Sequence, residues 1–126
     1  MKISKVYCAY FSPGDTTKKV VTGIGESFKD YPVENINLTD YDMRQNHFRF
    51  TENHLLIIGV PVYGGRIPTP VSECLSRFRG ISTPVVLVAT YGNRAVDDAL
   101  MELYKELGSK GFVPVAAASF VCQQLI

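Results

Sequence analysis

Several residue types and patterns that mark common protein classes are scarce or absent here. The three cysteines, Cys8, Cys74 and Cys122, are far apart, odd in number and never paired as C-x-x-C, which argues against a disulfide framework, a zinc site or an iron–sulfur cluster. Buried free thiols are the expectation. Charge is sparse and balanced: 13 Lys and Arg stand against 12 Asp and Glu, for a formal net charge of +1. With no long run of like charge, neither nucleic acid nor a membrane surface is expected as a partner. No apolar stretch approaches the ~20 residues of a membrane-spanning helix. The start, Met1 to Tyr10, lacks the apolar segment and small-residue cleavage site of a signal peptide, so a cytoplasmic location is expected. His47 and His54 have no metal-ligand companion at useful spacing and are expected to be surface or loop histidines. No metal site is expected.

What is present is an ordinary globular composition, 46% hydrophobic and 20% charged over 126 residues, enough for a single domain spanning 1–126. Residues 3–11 form an apolar run rich in Val, Tyr and Phe that stops at Ser12-Pro13-Gly14, as a buried strand would. Val20, Val21, Ile24 and Phe28 then recur at helical spacing from Thr16 onward. Val33 to Leu38 alternates like a half-buried edge strand, and residues 40–53 predict a short helix and a loop. Leu55 to Val60 is a continuous apolar run suited to a central strand. Residues 69–78 carry Val71, Leu75 and Phe78 at helical spacing and close at Gly80. Pro84 to Thr90 predicts another buried strand, residues 95–110 a helix, and Val113 to Val121 a last strand.

Strand and helix alternate five times, which predicts an α/β fold: a doubly wound five-stranded parallel sheet with right-handed crossovers. Ligands of such folds sit beyond the carboxyl ends of the strands, where strand order reverses. Three loops fall there. Ser12-Pro13-Gly14-Asp15-Thr16-Thr17 combines a tight turn, three hydroxyls and a helix start, and the unpaired amides of a helix start suit a phosphate. An ordinary capped helix has the same residues, so spacing alone leaves both readings open. It is not a Walker loop, because no Gly-Lys-Thr/Ser follows. Pro61-Val62-Tyr63-Gly64-Gly65-Arg66 sets an aromatic beside two glycines, which permit close approach to a planar ligand. Thr90-Tyr91-Gly92-Asn93 repeats that combination.

The order of Ser12-Pro13-Gly14-Asp15-Thr16-Thr17, then Gly59 to Pro68, then Ala89-Thr90-Tyr91-Gly92-Asn93-Arg94 resembles the flavodoxin family. It is most similar to the flavodoxin-like domain of bacterial flavodoxin–ferredoxin fusion proteins. The resemblance implies a flavodoxin-like sheet of order 2-1-3-4-5 and a non-covalently held FMN. The phosphate would lie on Ser12, Gly14, Asp15, Thr16 and Thr17, with the amides of Gly14 and Asp15 among the donors. The ring would lie between Pro61, Val62, Tyr63, Gly64 and Gly65 on one side and Thr90, Tyr91, Gly92 and Asn93 on the other, with Tyr63 or Tyr91 stacked on it. Electron transfer between redox partners, a reductase or a ferredoxin-type acceptor, would follow. An NAD(P)H-dependent flavin or quinone reductase on the same fold is an alternative, as is a module that has lost FMN.

The chain departs from the family at Gly14-Asp15, where relatives carry Thr-Gly, so a carboxylate stands beside the phosphate position. The final helix of the family is also expected to be absent. That predicts either the N-terminal part of a longer fusion or a homo-oligomer that covers the bare sheet face.

Overall fold

The computed structural model describes residues 2–92 and 97–121. Its elements run β1 (Lys5–Tyr10), α1 (Thr16–Gly25), β2 (Val33–Asn37), α2 (Tyr41–Arg44), β3 (Phe48–Arg49), β4 (His54–Pro61), α3 (Thr69–Leu75), β5 (Phe78–Arg79), β6 (Thr83–Tyr91), α4 (Asp97–Gly108) and β7 (Phe112–Val121). A turn of 3₁₀ helix, Glu26–Phe28, extends α1.

Five strands form one sheet in the order β2-β1-β4-β6-β7, every neighbouring pair parallel. Numbered among themselves these strands have the order 2-1-3-4-5, the expected doubly wound topology. Strand β1 has β2 on one side and β4 on the other, so the order reverses between β1 and β4, and a crevice opens at their carboxyl ends.

The burial of the central strands follows from their composition. His54–Pro61 is buried at every position after its first residue, as an uninterrupted apolar run covered on both faces must be. One face packs Leu56, Ile58, Val60, Val85 and Leu87 against Val71, Cys74 and Leu75 of α3 and Ala99, Leu103 and Leu107 of α4. The opposite face packs Val6, Cys8, Ile57 and Val88 against Val21 of α1, with Val20, Ile24 and Phe28 partly buried beside it. Gly59 sets how close α1 comes, because a β-carbon there would collide with Val21 and press on Thr17. That glycine brings the first turn of α1 down onto β4.

The region before and after α3 differs from expectation. Helix α3 ends at Leu75, with Ser76 at its C-cap, so it does not reach 78. Phe78–Arg79 instead pairs in parallel with Phe48–Arg49 as a separate two-stranded sheet. Val71, Leu75 and Phe78 fit a continuing helix by spacing, yet Phe78 is fully buried against Phe48 and Phe50, with ring centroids 5.1 and 5.9 Å apart. Ring packing outweighs the local period. The expected short helix in 40–53 is present as α2, started by Asp40, whose carboxylate accepts from the Asp42 amide at 3.0 Å; β3 stands where a loop was expected. The first and last strands are shifted by one or two residues from the sequence reading.

Cys8 and Cys74 are buried free thiols, and burial pushes each up to about 11. Among the described residues no group of His, Cys, Asp and Glu is placed to hold a metal, and no helix is long and apolar enough to cross a membrane. Cys122, and any helix beyond β7, lie outside the described residues.

Candidate functional site

The first loop is tied down before it can meet a ligand. The Phe11 amide donates to the Gly59 carbonyl at 3.2 Å, and the Ser12 amide donates to Thr39 Oγ1 at 2.7 Å. The turn closes where the Asp15 amide donates to the Ser12 carbonyl at 3.2 Å, and Ser12 Oγ accepts from the Lys18 amide at 2.9 Å. Ser12, three residues ahead of the boundary residue Asp15, therefore caps the helix. Asp15 holds the boundary in the left-handed region, φ 69°, without a side-chain cap.

Three amides at the start of α1, those of Gly14, Thr16 and Thr17, take no partner among the described residues. Pro13 has none to offer. These donors lie at the positive end of the ten-residue helix α1. The Asp15 amide, expected to be a ligand donor, is already used in closing the turn. The Asp15 carboxylate lies 3.8 Å from Lys19 Nζ, and both side chains are mostly solvent-exposed, so this pair adds little stability.

Thr17 is buried, and its hydroxyl shares a 2.8 Å hydrogen bond with the buried Thr90 hydroxyl. The bond joins the start of α1 to the end of β6. The second loop is joined there too, since the Val62 amide donates to the Thr90 carbonyl at 2.8 Å. Residues 63–66 then turn back as a tight hairpin, with reciprocal bonds between Tyr63 and Arg66 at 2.9 and 3.0 Å. Both central residues have positive φ, 58° at Gly64 and 80° at Gly65; this turn requires glycine or a close substitute at both. Its outer end is anchored by Glu102 of α4, which accepts from Arg66 Nε and Nη2 at 3.3 Å each and from the Ile67 amide at 3.4 Å.

The three loops enclose a cavity of about 360 Å³ lined by Pro13, Gly14, Thr16, Thr17, Pro61, Val62, Tyr63, Thr90, Tyr91 and Gly92, within the size range of small-molecule sites. Of the residues singled out in the sequence, Ser12, Asp15, Gly64 and Gly65 stand outside this lining. Asn93 lies outside the described residues. All the others line the cavity.

Among the described residues no carboxylate, lysine, arginine or histidine is part of the lining. Of the described residues, amides and hydroxyls would meet an anion there, and Asp15 is not among the lining residues. Tyr63, 56% exposed, and the half-buried Tyr91 supply aromatic surface. A phosphate-bearing planar ligand fits this donor set: unpaired amides at a helix start, a free hydroxyl on Thr16, and two rings across the same cavity.

Three supporting residues were not found by sequence reasoning. Pro13 lines the cavity, Thr39 holds the first loop, and Glu102 holds the second. Pro13 was legible as part of the turn, whereas the other two are brought in from elsewhere in the chain and carry no local signal.

A doubly wound α/β protein with a small-molecule cavity at its switch point is the class that this fold and site define. No family model matches the chain, and no curated protein does. Solved structures do. A flavodoxin from the domain Archaea superposes with a TM-score of 0.67 at 15% identity, over 93% of this chain and 84% of that one. The two-electron reduced flavodoxin of Megasphaera elsdenii gives 0.70 at 16%, over 91% and 85%. A flavoprotein in complex with FMN from Lactobacillus acidophilus gives 0.62 at 17%, over 93% of each chain. At these identities the likeness is one of fold, and the fold is flavodoxin-like.

Proposed function

We propose that residues 1–126 act as one FMN-binding domain, alone or as the N-terminal part of a longer fusion. Its role is to carry electrons between redox protein partners, a reductase and a ferredoxin-type acceptor. The observation that supports this best is that Gly14, Thr16 and Thr17, whose amides have no partner among the described residues, line the same cavity as Tyr63 and Tyr91. The amides of Gly14, Thr16 and Thr17 and the Thr16 hydroxyl would hold the phosphate, and Tyr63 and Tyr91 would hold the ring. Ser12 keeps its hydroxyl proton to donate, because its oxygen only accepts from Lys18. When bound, FMN supplies the one- and two-electron redox chemistry. The residues of the chain position it and shield it on one side from water.

A fluorescence titration with FMN tests the reading. Saturable quenching is expected at one FMN per chain, with riboflavin, which lacks the phosphate, bound at least about tenfold more weakly. Unchanged FMN fluorescence would overturn it. Rapid bleaching of bound flavin by NAD(P)H alone would replace the carrier reading with a reductase.

A further inference from the structure

The formal charge of +1 hides an uneven distribution. Residues 43–51 and 74–84 hold four of the 13 Lys and Arg, namely Arg44, Arg49, Arg77 and Arg79, and no Asp or Glu. Folding brings the two stretches together. Arg77 Nε donates to the Arg44 carbonyl at 3.0 Å. Arg49 and Arg79 are register partners in the parallel pair of β3 and β5, about 4.8 Å apart at the strand spacing of a sheet. Because Phe48 and Phe78 pack against each other toward the core, the residues that follow them point outward, and Arg49 and Arg79 are both exposed.

Like charges side by side on neighbouring strands oppose pairing. Arg66 has its own carboxylate, Glu102, at 3.3 Å, but none of these four arginines has one among the described residues. Backbone carbonyls hold three of the heads instead. Arg44 Nη1 donates to the Leu38 and Thr39 carbonyls at 3.0 Å each, and Arg79 Nη1 to those of Ser76 and Phe78 at 2.8 and 2.7 Å. Each guanidinium so fixed keeps further N–H groups for a carboxylate, and Arg49 makes no side-chain hydrogen bond among the described residues. Two exposed side chains border the arginines: Tyr41, whose ring centre lies 5.5 Å from the Arg44 guanidinium carbon, and Ile81, two residues beyond Arg79.

We propose that this arginine face docks a carboxylate-rich surface of another protein. A guanidinium fork accepts carboxylate and phosphate alike, so the surroundings decide the occupant. Arginine beside exposed tyrosine and isoleucine is the composition of a protein–protein contact. Asp42, Glu52 and Glu73 are exposed and flank the two stretches, where a nucleic acid or an anionic membrane laid over the arginines would also meet them. The face lies on the α3 and α4 side of the sheet, and its residues are not part of the cavity lining. The inference is therefore independent of the flavin reading.

Fluorescence anisotropy of a labelled deca-glutamate peptide, titrated with the full chain, tests it. Saturable binding is expected at ~20 mM salt, weakened at least about tenfold at ~200 mM. Arg49→Gln and Arg79→Gln together should weaken it at least about tenfold, whereas Lys18→Gln with Lys29→Gln, which removes the same charge on the α1 side, should change it less than about twofold. In the unmodified chain, backbone amide shifts on adding the peptide should fall in residues 41–49 and 77–81, which locates the contact whether or not the variants fold. Absence of binding, equal losses in the two double variants, or shifts elsewhere would overturn the proposal. So would tighter binding of a DNA duplex or of phosphatidylglycerol vesicles with the same arginine dependence. Excess FMN should leave the peptide bound; displacement by FMN would put the peptide in the cavity and overturn the proposal as well.

Discussion

Toward the amino end of the central strands the space beside the sheet is filled with rings. Phe50 lies 5.0 Å from Tyr7, 5.9 Å from Phe78 and 5.7 Å from Phe112, and Phe48 lies 5.1 Å from Phe78. At the carboxyl end the same strands run into Pro13, Gly14, Pro61 and Gly92, and about 360 Å³ is left open. The small sheet of β3 and β5 accounts for part of the contrast, since Phe48 and Phe78 come from it. One end of the molecule is closed by contacts between large side chains. The other is shaped by backbone turns and hydroxyls, with Tyr63 and Tyr91 lining an open cavity instead of filling it. Stability is therefore concentrated away from the candidate site, and changes at the two ends should separate in their effects.

The largest expected effect lies at the filled end. Phe78→Ala removes a fully buried ring that touches two others and should cost about 3–5 kcal/mol of unfolding free energy, read from the denaturant midpoint. If the two ends are separate, FMN affinity of the folded variant stays within about twofold of the parent. A loss of binding in proportion to stability would show that the aromatic end supports the cavity directly.

A smaller effect is expected where the two regions meet. Gly59→Ala places a β-carbon against Val21 and Thr17, which overpacks the contact of α1 with β4 by about 2 kcal/mol. Because relief requires α1 to move outward, this change should lower both the denaturation midpoint and FMN affinity. Unaltered affinity would mean that the start of α1 holds its place without the helix behind it.

Thr17→Val is the corresponding test at the open end. It keeps the shape and removes one side of the 2.8 Å hydroxyl pair with Thr90. About 1 kcal/mol of stability should be lost, with a relatively larger change in FMN binding, since both residues line the cavity. An effect on stability alone would make the pair a core contact and nothing more.

The difference between the ends also explains what could be read from the amino-acid order. Leu55 to Val60 and Pro84 to Thr90 announce central strands because burial on both faces demands uninterrupted apolar runs. Tyr63-Gly64-Gly65 announces a turn because only such residues accept positive φ at two consecutive positions. Phe48–Arg49 and Phe78–Arg79 are two residues each, too short for any period, and exist because their rings meet across 30 residues of chain. The tie from Ser12 to Thr39 and the anchor from Glu102 to Ile67 are likewise long-range. A hydroxyl or carboxylate gives no sign, in sequence, of which distant amide it will accept from.

The smallest expected effect is a pH dependence, and it belongs to the filled end, where His54 stands; among the described residues no carboxylate, histidine, lysine or arginine lines the cavity. His54 stands edge-on to Tyr7, 5.2 Å between centroids, and its Nδ1 accepts from the Thr51 amide at 3.0 Å. Burial, and then the charge of Lys5, hold its pKa below the usual 6.5. The folded state thus favours the neutral ring, while the unfolded chain takes up a proton first as pH falls. Stability from this group is present above the unfolded value and is lost as pH drops from there through the lower folded value. His54→Asn keeps an acceptor but cannot titrate. Between about pH 7.5 and about pH 5.5, the parent should lose more of its denaturation midpoint than the variant. Parallel losses in the two proteins would remove His54 from the account and leave the carboxylates as the source of any acid sensitivity.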